Sequence, residues 1–123
     1  MSLIFIAMPT KGSVLNNNIR PTVLAYIASL HQLFPFHTFI APMIQDYQLL
    51  PYMPTTEATW ADWGQHCRAL IERCDEVWVI QLDGWDTSVG VKGEIEHARK
   101  HSKPEVYLHF GEQFLSPPVS DAP

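Results

Sequence analysis

The chain has 123 residues, and its 8 Lys+Arg against 13 Asp+Glu give a formal net charge of -5. This length suits one domain of ordinary size. The acidic balance, without a basic stripe or basic tail, argues against binding of a nucleic acid polymer or an anionic membrane surface. No apolar run approaches the ~20 residues that span a bilayer, and the first residues lack the pattern of a secretion signal. We therefore expect a cytoplasmic protein.

Short apolar runs alternate with helical periodicity along the chain. Runs rich in β-branched and aromatic residues predict strands, and apolar residues that recur every three or four positions predict helices. The predicted strands cover residues 3–7, 37–41, 76–82 and 105–110, and the predicted helices cover residues 21–34, 59–74 and 89–101. This alternation predicts an α/β fold: a single three-layer domain, Rossmann- or flavodoxin-like, with a mostly parallel sheet of four or five strands.

The predicted domain covers residues 1–115, and the proline-rich residues 116–123 are predicted to form a flexible C-terminal tail. Within the domain, residues 43–56 show no regular pattern. A segment of this length is either a lid or partner contact, or a surface excursion that the fold tolerates.

Ligands of an open parallel sheet bind in the crevice at the carboxyl ends of the strands. Here that rule points to residues 8–13, 42–47 and 83–94, of which the third segment is richest in candidate groups. Ser88 is a good helix N-cap, although its hydroxyl could instead turn toward a ligand. Gly90 would let a ligand approach the helix backbone, and the positive end of the helix dipole favours an anion.

Two further positions in these segments are candidates for binding or chemistry. Glu94 lies in the first two turns of the third helix, where the helix field keeps a carboxylate ionised, as a nucleophile or base requires. The alternative is a plain capped helix with a solvated glutamate. Lys11 and Gly12 do not form a P-loop, but they could contact a phosphate. A solvated loop lysine is the alternative there.

The histidines and cysteines predict neither a metal site nor a nucleophilic dyad. His97 and His101 lie four residues apart near a helix end, with two basic residues between them, and predict a solvent-facing pair rather than a zinc site. His66 and Cys67 are adjacent on a helix, so their side chains point about 100° apart. Cys67 and Cys74 are about 10 Å apart along one predicted helix, which predicts two buried thiols rather than a disulfide.

Several stretches together resemble the nucleoside 2-deoxyribosyltransferase-like superfamily, which includes deoxyribosyltransferases and deoxynucleoside 5'-monophosphate N-glycosidases. They read CDEVWVI at 74–80, SxGVxxEIxxA at 88–98 and KPEV at 103–106. The stretch LDGWDTS at 82–88 looks like a small bacterial branch of uncharacterised proteins within that superfamily. The resemblance is specific over residues 74–106 and looser elsewhere.

The resemblance implies roles for the positions that match. Glu94 matches the glutamate that attacks the anomeric carbon and forms a glycosyl-enzyme intermediate. Ser88 matches a position held by serine in the monophosphate glycosidases and by aspartate in the transferases. Lys11 and Gly12 match a basic-Gly pair that approaches the 5'-phosphate. A site of this kind needs no metal or organic cofactor, because a positioned carboxylate stabilises the oxocarbenium-like transition state directly.

One departure from the family pattern concerns the proton donor. The enzymes have an aspartate eight residues before the Asp75 position, and this chain has Cys67 there, a poor general acid for a base nitrogen at neutral pH. Asp62, Asp83 and Asp86 are possible substitutes, and Asp86 is also a candidate ligand-binding residue. The resemblance further implies a homo-oligomer, a dimer or tetramer, in which a neighbouring subunit completes the site.

Three functional hypotheses follow. The first is a nucleoside or nucleotide N-glycosidase or 2-deoxyribosyltransferase with Glu94 as nucleophile. The second is a module that binds a nucleotide or related metabolite without cleaving it. The third is a homo-oligomeric domain whose crevice has no remaining function and whose aromatic surface serves assembly.

Overall fold

A computed structural model describes residues 2–9, 21–42, 44, 60–109 and 119–120. The strands form one sheet in the order β2-β1-β3-β4-β5, in which the first four are parallel and β5 runs antiparallel to β4. The strands are β1 (Leu3–Ala7), β2 (Thr38–Ile40), β3 (Glu76–Gln81), β4 (Glu105–His109) and β5 (Val119–Ser120). The predicted α/β class, with a mostly parallel sheet, is confirmed.

The helices that position the site are α1 (Pro21–Leu33), α2 (Trp60–Arg73) and α3 (Val89–Lys100). Proline is tolerated at the start of α1, because a first-turn N–H has no partner within the helix. Pro35, two residues after α1 ends, cannot continue it. None of the helices in the described ranges is long and apolar enough to cross a membrane.

The helices cover both faces of the sheet. On one face, α1 buries Val23, Tyr26 and Leu30 in a cluster with residues of β1 and β3. On the other face, α2 and α3 bury Ile71 and Ala98 against the strand residues that point the opposite way. Because both faces are covered, the strands are continuous apolar runs rather than alternating ones. Burial of one Ile or Leu side chain contributes about 1.5–3 kcal/mol, so these two layers hold the helices onto the sheet.

Two hydrogen bonds between Leu3 and Asp75 fix the register of the two central strands. The N–H of Leu3 donates to Oδ2 of Asp75 at 2.7 Å, and the N–H of Asp75 donates to the carbonyl oxygen of Leu3, also at 2.7 Å. The strands then pair with Ile4 opposite Glu76. The carboxyl ends of β1 and β3 are therefore side by side.

The C-terminal residues differ from the predicted tail. Val119 and Ser120 pair with Leu108 and Tyr107 of β4, so part of the segment 116–123 belongs to the sheet. Two paired residues among prolines leave no periodic signal in the sequence, which is why the pattern predicted only a flexible tail.

Candidate active site

The strand order places a switch point between β1 and β3. The chain leaves β1 through α1 on one face of the sheet and leaves β3 through α3 on the other. In open α/β sheets the ligand crevice opens where neighbouring strands send their connections to opposite faces. The segments that border this crevice follow Ala7 and Gln81. The predicted phosphate contacts Lys11 and Gly12 lie outside the described residues, as do residues 43 and 45–56 of the predicted lid.

A tight turn carries the chain from β3 into α3. The N–H of Trp85 donates to the carbonyl oxygen of Leu82 at 3.0 Å, and that of Thr87 donates to the carbonyl oxygen of Gly84 at 3.2 Å. Gly84 has a φ of +87°, a backbone conformation that side chains with a Cβ rarely adopt. The turn thus brings the start of α3 to the carboxyl edge of the sheet.

Ser88 caps α3, as the sequence predicted. Its Oγ accepts a hydrogen bond from the N–H of Val91 at 3.2 Å, and its carbonyl oxygen accepts from the N–H of Lys92 at 3.0 Å. Among the described residues, a Cβ added at Gly90 would meet only Ser88 Oγ, at 3.9 Å, so these residues leave space beside the first turn. First-turn N–H groups have no partner within the helix. The local geometry therefore suits an anion or a sugar hydroxyl.

Glu94 is buried, with 4% of its surface exposed, and among the residues described it is the one charged side chain in the interior. The alternative of a solvated glutamate is therefore wrong. By helical geometry Glu94 shares a flank of α3 with His97, three residues on, and His97 contacts Glu72 of α2. Glu94 thus lies on the flank of α3 that faces α2. A carboxylate is costly to bury, so a buried one is a candidate for chemistry.

Asp86 lies elsewhere. It is exposed, and it lines an open cleft of about 320 Å³ on the other flank of α3. The remaining lining residues are Trp85, Lys92, Ile95, Glu96, Arg99 and Tyr107. Glu94 does not line this cleft. Ser88, Gly90 and Glu94 thus lie at the cap and in the first two turns of one helix, and Asp86 lines a different surface.

The Asp86 cleft has a polar wall centred on Glu105. The Arg99 guanidinium donates to its carboxylate through Nε at 2.8 Å and through Nη2 at 3.0 Å, and the Tyr107 hydroxyl donates to it at 2.8 Å. Burial and this hydrogen bond raise the pKa of Tyr107 to about 12. The ring of Trp85 packs edge-on against that of Tyr107, with centroids 5.5 Å apart. These hydrogen bonds and the ring contact hold the side chains of this wall in place.

Cys67, at the position of the family's proton donor, is a core residue. It is 3% exposed and lies in the cluster with Ile71 and Cys74 on the α2–α3 face of the sheet. Burial, followed by the neighbouring Asp75 carboxylate, raises the pKa of Cys74 to about 11. Neither cysteine forms a disulfide and both are buried, as the sequence predicted.

Two features at this end of the sheet are absent from the sequence-based prediction. The side-chain Oε1 of Gln81, the last residue of β3, is buried without a hydrogen-bond partner in the described part of the chain. The polar residue at the end of an apolar strand was the available signal for it. The Tyr26 hydroxyl donates to the carbonyl oxygen of His109 at the end of β4. No local sequence pattern could predict this long-range contact.

The prediction for the histidine pair is wrong in one respect. His97 is not solvent-facing, because its side chain is 10% exposed and its Nε2 lies 2.8 Å from Oε2 of Glu72. That hydrogen bond, chiefly, lowers the pKa of Glu72. His101 is 36% exposed. The sequence could show the spacing of the two histidines but not the acidic partner across the helix pair.

The fold and the helix-start site define an α/β domain with its candidate site at a strand switch point. Residues 36–109, more than half of the chain, match the family model described as a domain of unknown function, DUF1937, and the chain belongs to that family. No curated protein and no solved structure matches it.

Proposed function

We propose that this protein is an N-glycosidase or 2-deoxyribosyltransferase that acts on a nucleoside or nucleotide, with Glu94 as nucleophile. The observation that carries the proposal is the burial of Glu94 in the second turn of α3, the helix that follows β3, one of the two strands at the switch point of the sheet. The resemblance of residues 74–106 to the deoxyribosyltransferase-like superfamily agrees with this assignment.

The proposed reaction uses the carboxylate directly. An oxygen of Glu94 attacks the anomeric carbon, the bond from that carbon to the base nitrogen breaks, and its electron pair leaves with the base, which takes up a proton. Water in the hydrolase, or a second base in the transferase, then attacks the anomeric carbon of the glycosyl-enzyme. The bond from that carbon to the Glu94 oxygen breaks and regenerates the carboxylate, and the attacking group releases its proton to solvent. Both steps proceed through an oxocarbenium-like transition state, and the net stereochemical outcome is retention.

The first turn of α3 would hold the other end of the substrate. Its N–H groups and the positive end of the helix dipole favour a phosphate or a sugar oxygen. Gly90 leaves space for that group, and Lys11 with Gly12 would supply the basic contact that the resemblance implies. Cys67 is buried in the core, and Asp86 lines a cleft on the other flank of α3 from Glu94. Of the possible proton donors for the leaving base, Asp62 and Asp83 would therefore remain.

The test is release of free base from a panel of deoxynucleosides and their 5'-monophosphates, measured by chromatography. We expect wild type to release base from at least one substrate, and Glu94→Gln to lose at least about a thousandfold in rate, as loss of a nucleophile does. The matched control is Glu76→Gln, at the amino end of β3. There an amide oxygen can still accept the hydrogen bond from Trp78 Nε1. No base from any substrate, or an unimpaired Glu94→Gln, would overturn the enzymatic proposal.

A second candidate is a module that binds a nucleotide without cleaving it. The observation that favours it is the burial of Cys67, which leaves the usual proton-donor position without an acid. A rise in melting temperature with a deoxynucleotide, together with no base release, would support this candidate. No shift with any nucleotide or sugar phosphate would exclude it.

A further inference from the structure

Three potential metal ligands converge where α2 and α3 end side by side. Oε2 of Glu72 lies 2.8 Å from Nε2 of His97 and 3.8 Å from Nε2 of His101. Within this set, which we term the helix-pair cluster, the ligand atoms all lie within 4.8 Å of one another. We propose that the helix-pair cluster binds one divalent transition-metal ion of the Zn²⁺ type, with water in the fourth position.

The separations fit tetrahedral coordination after small side-chain movements. With metal–ligand bonds of about 2.0–2.1 Å, neighbouring ligand atoms of a tetrahedral zinc site are about 3.3 Å apart. The two measured separations from Glu72 bracket that value. The side chains of Glu72 and His101 are 44% and 36% exposed, so they have room to rotate. Small χ rotations would therefore bring the three atoms onto one ion.

The helix geometry holds the two imidazoles in place for chelation. His97 lies in the last turn of α3 and His101, four residues on, is its C-cap, with ring centroids 4.4 Å apart and planes tilted by 53°. This is the spacing by which two histidines of one helix bind a single zinc ion. Glu72 supplies the third ligand from α2, so the ion would join the two helices.

The donor set selects the type of ion. Two neutral imidazole nitrogens and one carboxylate oxygen are a common three-ligand set for zinc. Ni²⁺ and Cu²⁺ would also bind, since imidazole sites follow the general order of affinity for these metals. Mg²⁺ and Ca²⁺ prefer oxygen ligands and are not expected to compete.

Nearby cations limit the affinity. Arg68 and Lys100 line a second, smaller cleft together with His97, and Arg73 follows Glu72 directly in the sequence. These positive charges oppose the charge of the ion, although exposure to solvent screens them. We therefore expect a dissociation constant in the micromolar range rather than the far tighter values of closed structural zinc sites.

The experiment is calorimetric titration of the full chain, stripped of metal with a chelator, with ZnCl₂ at pH 7.5. The variants are His101→Ala, Glu72→Gln and His97→Ala. The matched control is His31→Ala, a histidine on α1 at the opposite face of the sheet. We expect one zinc ion per chain, at least tenfold weaker binding in each cluster variant and unchanged binding in the control. Co²⁺ should show the visible bands of a tetrahedral site in wild type and not in His101→Ala.

A bound ion should also stabilise the fold, because the folded chain brings the three ligands together and therefore binds the ion more tightly than the unfolded chain does. At a zinc concentration about 100 times the dissociation constant, the melting temperature should rise by roughly 10 °C in wild type and not in His101→Ala. Absence of binding at 100 µM zinc, or wild-type affinity in His101→Ala, would overturn the proposal. Loss of binding in His31→Ala would do so as well. Since all readouts concern metal, a failure of the nucleotide assay leaves this test unaffected.

Discussion

The hydroxyl of Tyr26 donates a hydrogen bond of 2.9 Å to the carbonyl oxygen of His109, which ties the second turn of α1 to the carboxyl end of β4. The two residues are 83 positions apart in sequence. Tyr26 is fully buried, and this burial raises the pKa of its phenol far above the usual range. The group is therefore a neutral donor at every pH at which the protein is handled.

Tyr26→Phe should lower the free energy of unfolding by about 1–2 kcal/mol. The substitution keeps the packed ring but leaves a part-buried carbonyl of His109 without this donor. Urea denaturation at pH 7 measures the loss. Ser29→Ala is the control, because its hydroxyl bonds only to carbonyls of its own helix and is partly exposed. A change for Tyr26→Phe no larger than that for Ser29→Ala would contradict the assignment.

Ser88→Ala should lower the free energy of unfolding by about 1 kcal/mol, the usual cost of losing an N-cap. Ser88→Asp should retain wild-type stability, because aspartate caps as well as serine and its charge suits the helix dipole. Comparison of the two variants also separates the capping role of Ser88 from a role in ligand binding. If the first turn of α3 holds a 5'-phosphate, Ser88→Asp should weaken the thermal shift that a deoxynucleotide produces. If Ser88→Ala were as stable as wild type, the proposed capping role of Ser88 would be wrong.

Gly90→Ala should stabilise the protein and impair its function. A Cβ fits at Gly90, and alanine in a helix is favoured over glycine by up to about 1 kcal/mol. The same methyl group would occupy space that the proposed ligand uses, so nucleotide affinity should fall. Gly84→Ala is the contrast, because its φ of +87° makes alanine cost about 1–2 kcal/mol. Denaturation and nucleotide thermal shifts on both variants check the prediction. Unchanged nucleotide affinity in Gly90→Ala would place the ligand elsewhere.

Stability should fall at alkaline pH, partly through Cys74. Burial raises the pKa of its thiol to about 11 in the folded protein, against an ordinary value of 9.0. Between these values the unfolded chain holds fewer protons than the folded one, so the free energy of unfolding falls as pH rises from about 9 to 11. Below pH 9 this group has no effect. Denaturation at pH 8, 9.5 and 10.5 should show a shallower decline in Cys74→Ala than in wild type, and parallel declines would refute the assignment.

The sequence predicts the fold well because the strands and helices have strong local signals. The apolar run of β3, the α1 stripe of Val23, Ile27 and Leu30, and the Ser88 cap each occupy the predicted place. Both faces of the sheet are covered, so the parallel architecture followed from continuous apolar strands. The two-residue strand β5 was missed because its pairing partner is supplied by tertiary structure alone.

The candidate site was predictable only as far as it is local to one helix start. Ser88, Gly90 and Glu94 are close in sequence, so a local pattern could group them as candidates. The burial of Glu94 depends on packing against the sheet and α2, which helix-dipole reasoning does not address. Glu72 joins His97 and His101 from a different helix, so no spacing rule within one element could reveal the helix-pair cluster. Asp86 shares a turn with Ser88, but the turn directs it to the other flank of α3.

The outer strand β2 has a consequence for how separate molecules meet. An outer strand exposes a row of unpaired backbone groups that can recruit a strand from another chain and seed aggregation. Here that row is three residues long, with Pro35 shortly before it and Pro42 shortly after. Proline has no N–H to donate, so a foreign strand could not extend its pairing past Pro42. In the described part of the chain, this short edge between two prolines therefore limits edge-to-edge pairing with the sheet of another molecule.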